Sequence, residues 1–251
     1  MARIIGIVSG KGGVGKTTLV ANLGVALTNF EKRVTIVDCN VTTSHLGFYF
    51  DLYYYPKTLN QVLKDEISLE EATYYHPSGV RIVPAALTIE ELIGIDINKL
   101  KSLDFGNADI VLLDSAPGLG REAMSVLNAC KEVIFVTTPF MNAVSDVIKC
   151  NRVAKYLGLE ALGIVLNMWR KDFHELDEKD VEDLTGLPVI AKIPFDLNVQ
   201  KSLAHRMPTV LFAPYSPASI EINKLAARLI GEAYSPPKRR FLFKLLRFLR
   251  K

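Results

Sequence analysis

The pattern of apolar and polar residues predicts an α/β fold: a doubly wound, mostly parallel sheet flanked by helices, followed by a C-terminal amphipathic helix. Three observations carry this reading. Short, uninterrupted apolar runs recur along the chain, as parallel strands covered on both faces require. Segments of helical spacing separate them, which suits right-handed crossovers. A glycine-rich stretch, VSGKGGVGKTT at residues 8–18, lies between the first such strand and the first such helix. In sheets of this kind ligands bind at the C-terminal edge of the strands.

In chain order, RIIGIV (Arg3–Val8) is the first buried strand. GKGGVGKT then fits the phosphate-loop pattern G-x-x-x-x-G-K-[ST]. A triphosphate needs close backbone N–H groups, which Gly10, Gly12, Gly13, Val14 and Gly15 can supply. Lys16 supplies charge for the β- and γ-phosphates, Thr17 a hydroxyl for Mg²⁺, and Thr18 a contact to the α-phosphate. The cofactors expected from this stretch are therefore ATP and Mg²⁺. The helix after it has Leu19, Leu23, Ala26, Leu27 and Phe30 on one face, and its N-terminus favours anions. Residues 33–38 form a second strand ending in Asp38, placed to hold Mg²⁺ through water.

Residues 49–57, YFDLYYYPK, are expected to pack as half-buried tyrosines rather than to form a binding patch. Two short helices follow, capped by Thr58 and Ser68 and covering about residues 58–67 and 68–76. Residues 79–86 hold a strand and a turn, and 88–103 further helical turns. Residues 108–114, ADIVLLD, form a buried strand ending in Asp114, a second candidate for Mg²⁺ through water. Two more buried strands, 132–139 and 161–168, bracket a helix over 142–157. An acidic, solvated helical region covers 171–186, a last short strand 187–196, and a long amphipathic helix 216–234.

The stretch KGGVGKTT, with Lys11 as a second lysine, resembles the deviant Walker A motif of the ParA/MinD family of P-loop ATPases. The resemblance covers about residues 2–233. It implies that Lys11 reaches across a dimer interface to the partner's nucleotide, and that Lys11 and Lys16 both serve catalysis. It makes DCNVTTSHLG (residues 38–47) switch I and DSAPG (residues 114–118) switch II, with the Gly118 N–H sensing the γ-phosphate. It makes Asn167 a hydrogen-bond partner of adenine, with Pro194 and Asp196 of IPFD in the adenine-contacting loop. One position departs from the family: where a second aspartate positions the attacking water, this chain has Asn40. Asparagine keeps one acceptor but carries no charge, so binding should persist while hydrolysis is slow.

Half of the residues are hydrophobic, and no apolar stretch is long enough to span a bilayer. The first strand begins at once, so no signal peptide is expected. Cys39, Cys130 and Cys150 are widely spaced, which predicts a reduced, cytoplasmic setting and no zinc or iron–sulfur framework. The four histidines lack metal-ligand spacing.

The net charge of +3 is uneven. Residues 238–251, KRRFLFKLLRFLRK, carry seven basic and no acidic side chains, leaving 23 basic against 27 acidic elsewhere, a net of −4. After Ser235-Pro236-Pro237, Phe241, Leu242, Leu245, Leu246, Phe248 and Leu249 share one helical face, with Arg240, Lys244, Arg247 and Lys251 opposite. Such a cationic amphipathic helix lies flat on an anionic membrane. Residues 1–234 are thus expected to be an ATPase domain and 235–251 a linker and membrane-targeting tail. The resemblance agrees, since MinD proteins end in such a helix.

Together these features predict a membrane-associated ATPase of MinD type, peripheral on the inner face of the cell membrane. It would form a homodimer with ATP and position a cellular assembly through an activator or cargo that the sequence does not identify. Nucleic acid is not expected as a partner. The alternatives are a ParA-like DNA-segregation ATPase and an ATP-binding adaptor with little turnover.

Overall fold

The computed structural model describes residues 2–88 and 90–236. The tail residues Phe241, Leu242, Lys244, Leu245, Arg247, Phe248 and Leu249 lie outside the described residues.

The apolar runs become strands, with β3 added outside them: β1 (Arg3–Val8), β2 (Val34–Asp38), β3 (Tyr74–Tyr75), β4 (Arg81–Val83), β5 (Ile110–Asp114), β6 (Glu132–Thr137), β7 (Glu160–Trp169) and β8 (Val189–Pro194). They form one sheet in the order β3-β4-β2-β5-β1-β6-β7-β8, parallel except for the edge strand β3. The helices are α1 (Lys16–Thr28), α2 (Leu59–Leu63), α3 (Arg121–Ala129), α4 (Met141–Tyr156), α5 (Glu178–Thr185), α6 (Leu197–Ala204), α7 (Thr209–Phe212) and α8 (Pro217–Leu229). Two cores result, one on each face of the sheet. One joins alternate strand residues such as Ile7, Ile36 and Leu112 to α1 and α8, and the other joins Val37, Val111 and Phe135 to α3, α4 and α5. The central strands are buried on both faces, which is why they read as continuous apolar runs. Among the described residues no helix is long and apolar enough to cross a membrane.

Several elements differ from the sequence expectation. α1 is not buried on one face only: residues 19 to 27 are all buried, because α7 and α8 cover the side turned away from the sheet. Phe30 lies beyond the helix end. Ser68 does act as a cap, its hydroxyl accepting from the Glu71 N–H, but only a turn follows. Tyr74 and Tyr75 instead pair with Ile82 and Arg81 as the antiparallel edge. Thr73 and the two tyrosines favour extended backbone, and a sheet edge lies within reach. α2 stops at Leu63 and α8 at Leu229, both shorter than expected. The tyrosines of residues 49–57 divide: Tyr49 and Tyr55 are buried, whereas Tyr54 is 87 % exposed. Helices α3, α6 and α7 had no expectation attached to them.

The register places the site. Asp38 of β2 and Asp114 of β5 are direct neighbours across the sheet, and Ile7 of β1 pairs with the same Asp114. The glycine-rich loop leaves β1 just beyond, so both carboxylates sit beside it.

Candidate phosphate-binding site

The loop between β1 and α1 is shaped by its protein neighbours as much as by any ligand. Gly15, the N-cap of α1, has φ +92°, and a Cβ there would lie 2.2 Å from Asn167 Nδ2. A Cβ on Gly10 would lie 2.3 Å from the Cβ of Asp146 on α4. Both positions therefore demand glycine even without phosphate. The loop lines an open cavity of about 470 Å³ that Gly12, Gly13, Lys16 and Thr17 share with Asn40. A larger cavity, about 700 Å³, lies at the opposite edge of the sheet around Thr35, Arg81 and Phe105. It contains none of the loop residues, so size alone does not mark the site.

Lys16 is 7 % exposed, and its Nζ donates to Ser9 Oγ at 2.8 Å. Ser9 Oγ donates in turn to the Lys11 carbonyl at 2.7 Å, and the Ser9 carbonyl accepts from the Gly118 N–H at 2.9 Å. Ser9 thus joins both lysines of the loop to the glycine of DSAPG, a role the sequence reading missed. An ammonium has three donors, so two remain for phosphate oxygens. In this conformation the Gly118 N–H is engaged, and meeting a γ-phosphate would require exchanging Ser9 for it. Lys11 is exposed. Burial holds the Lys16 ammonium below its ordinary pKa, with the charge of Asp114 acting against that.

Both aspartates are buried. Asp38 accepts from the Asn40 N–H, the Ser44 hydroxyl and the N–H groups of His45 and Leu46, at 2.8 to 3.1 Å. Its carboxylate therefore moulds the 40–46 loop, while burial raises its pKa. Asp114 has one oxygen, Oδ1, that is buried without a hydrogen-bond partner among the described residues. Burial, with the neighbouring Asp38 charge, pushes its carboxyl up to about 8; Thr17 and Lys16 act against this. An orphaned carboxylate oxygen beside a second carboxylate and a threonine hydroxyl is a donor set short of a cation. That fits Mg²⁺, a hard ion that takes oxygen ligands and keeps several waters.

Asn40 lines the cavity, but both of its amide atoms are engaged. Nδ2 donates to the Thr43 carbonyl at 2.8 Å, and Oδ1 accepts from the Thr43 hydroxyl at 3.0 Å. Nearby, Thr42 binds Glu122 at the start of α3 through its N–H and hydroxyl, tying the 38–47 loop to the segment after DSAPG.

A second, smaller cavity of about 110 Å³ adjoins the first. It gathers Asn167, Pro194 and Asp196, the three residues the resemblance assigns to adenine, together with Thr18, Met168 and Phe195. Their side chains also hold structure. Asn167 Nδ2 donates to the Val14 carbonyl at 2.8 Å, fixing the loop to the end of β7. Asp196 caps α6 through the Asn198 N–H and accepts from the Ala218 N–H, joining β8 to α8. Met168 has φ +59°, a left-handed conformation unusual for its type. It lines both cavities at an irregularity in the β7–β8 pairing.

The ParA family model, described as NUBPL iron-transfer P-loop NTPase, matches residues 1–230. The chain belongs to the ParA/MinD family of P-loop NTPases. An uncharacterized ATP-binding protein of Methanocaldococcus jannaschii is 35 % identical over 237 residues, covering 93 % of this chain and 90 % of that one. The septum site-determining protein MinD of Pyrococcus horikoshii, complexed with Mg-ADP, superposes with a TM-score of 0.88 at 34 % identity, covering 91 % of this chain and 96 % of that one. MinD in the MinC:MinD cell division complex of Aquifex aeolicus gives 0.81 at 25 %, covering 94 % and 99 %. At the family level the chain is an ATPase, and P-loop ATPases use ATP with Mg²⁺. Iron transfer is a chemistry for which the cysteines here are poorly placed. Cys39, Cys130 and Cys150 are all buried and unpaired, and burial raises the pKa of each thiol.

Proposed function

We propose that this ParA/MinD-family ATPase is of MinD type: it binds Mg–ATP at the loop, dimerises across the nucleotide, and thereby holds an anionic membrane through its C-terminal tail. The observation that carries the nucleotide site is the buried Asp114 oxygen without a partner among the described residues, beside Thr17 and opposite Asp38. In this reading Thr17 and, through water, Asp38 and Asp114 hold Mg²⁺, which offsets charge on the β- and γ-phosphates. Lys16 binds the same oxygens from its anchor on Ser9. The backbone of Gly10 to Gly15 and Thr18 wraps the remaining phosphates, and the smaller cavity takes the adenine. Lys11, exposed beside the loop, reaches the nucleotide of a second copy. The relatives named MinD and the sequence of residues 238–251 support the membrane step. Two weak tails on one dimer act together through effective concentration, so dimerisation governs membrane attachment. The outcome would be the spatial positioning of an assembly. Sedimentation with anionic vesicles, set against sedimentation with duplex DNA, separates this reading from DNA segregation. The expected result is ATP-dependent co-sedimentation with vesicles and none with DNA.

Asn40 makes the ATPase slow in this account. Its amide is engaged by Thr43, Nδ2 on the carbonyl and Oδ1 on the hydroxyl, which supports this reading. Asn40→Asp would set a carboxylate oxygen against the Thr43 carbonyl in place of a donor. The side chain should leave that turn for the cavity, where a charge can orient the attacking water. The expected result is a several-fold rise in kcat with ATP affinity about unchanged, the pattern of an interaction made mainly in the transition state. Single-turnover hydrolysis of both forms decides it. An unchanged or lower rate would show that the water is placed by another group.

A further inference from the structure

Tyr49 lies on the 3₁₀ turn Leu46–Phe50, and no motif marks it. Its ring is buried in the same core as Leu19, Leu46 and Phe50. Its hydroxyl emerges at the wall of the cavity that the phosphate loop lines and lies 2.7 Å from Thr18 Oγ1. Among the described residues Tyr49 is the only hydrogen-bond partner of that oxygen. Thr18 itself lines both the phosphate cavity and the smaller cavity beside it.

We infer that Tyr49 is a positioning residue of the nucleotide site, acting on the α-phosphate through Thr18. This inference rests on the assignment of Thr18 to the α-phosphate. A phenol is a far stronger acid than an aliphatic alcohol, so Tyr49 donates and Thr18 Oγ1 accepts. The Thr18 proton is then free to be donated to a phosphate oxygen. Without the phenol, a helical threonine turns its hydroxyl back to the carbonyl of the preceding turn. Tyr49 therefore holds the Thr18 rotamer that serves ligand. Burial keeps the phenol neutral, with its pKa raised, so it remains a donor.

The same turn is tied to switch I, because the Leu46 N–H donates to Asp38. It also carries Phe48, whose ring packs on Tyr53, and Tyr53 in turn lies under the Arg206 guanidinium. A nucleotide bound at Thr18 thereby touches a single connected unit that runs from Asp38 to the loop after α6.

A thermodynamic cycle tests this. The dissociation constants of fluorescent Mg–ATP and Mg–ADP analogues are measured for the wild type, Tyr49→Phe, Thr18→Ala and the double variant. Tyr49→Phe keeps the ring in its core, and its melting temperature checks the fold. The expected result is a loss of about 3- to 10-fold for ATP and ADP alike, since both carry the α-phosphate, with the double variant no weaker than Thr18→Ala alone. Thr18→Ser, which keeps the hydroxyl, should bind close to wild type. Unchanged affinity in Tyr49→Phe, or losses that multiply in the double variant, would overturn the inference while leaving the P-loop assignment in place. Failure of the wild type to bind either nucleotide would overturn both.

Discussion

Lys16→Ala is expected to lose nucleotide binding and turnover together, by at least about 100-fold in affinity. The expected effect is large because Lys16 is buried beside the Asp114 carboxylate and its ammonium is anchored on Ser9. In alanine the loop would face several phosphate charges with Asp38 and Asp114 close by and no fixed cation between them. Titration with a fluorescent ATP analogue and a phosphate-release assay measure the two losses. Thermal melting without nucleotide should change much less, since among the described residues the ammonium makes one hydrogen bond. Turnover at the wild-type rate would contradict the assignment of this lysine to the β- and γ-phosphates.

Lys11→Ala should leave the protein able to bind ATP as a monomer but unable to dimerise or to hydrolyse it. The two lysines sit in contrasting settings. Lys16 is enclosed, whereas Lys11 is exposed, and its backbone carbonyl accepts from Ser9. An exposed charge adds little to the stability of its own domain. Its proposed value arises when a second copy brings a phosphate to it in a site closed to water. Mass by light scattering should therefore double on adding Mg–ATP to the wild type and stay constant in the variant, with turnover lost alongside. A variant that dimerises and turns over normally would make Lys11 an ordinary loop lysine.

The parts of the fold that were legible were those fixed by local pattern. Apolar runs closed by aspartate became β2 and β5, and the sheet register then brought Asp38 beside Asp114. The loop was legible because few chemistries need glycine at those positions with lysine and threonine after them. What stayed hidden depends on partners distant in sequence. The buried outer face of α1 follows from α7 and α8, which a helical wheel of α1 does not contain. Tyr74 and Tyr75 form a strand because β4 offers an edge, against the local helix signal that begins at Ser68. Ser9 reads as the last residue of a strand, and only the fold shows that it joins Lys16, Lys11 and Gly118. Asn40 was legible as a departure from the family, but its attachment to Thr43 was not. Asn167 and Asp196 came from resemblance alone, and the structure adds that each also holds the scaffold together.

The central claim, that nucleotide governs membrane attachment through the tail, is tested most directly by sedimenting the protein with anionic vesicles. The full chain and a chain lacking residues 238–251 are compared in Mg–ATP and in Mg–ADP. The full chain should pellet with vesicles in ATP and much less in ADP. The shortened chain should stay in solution in both while still binding ATP. Added salt should weaken the pelleting only in part, because screening acts on the basic residues and not on the apolar face. Equal pelleting in ATP and ADP, or pelleting that survives loss of residues 238–251, would contradict it.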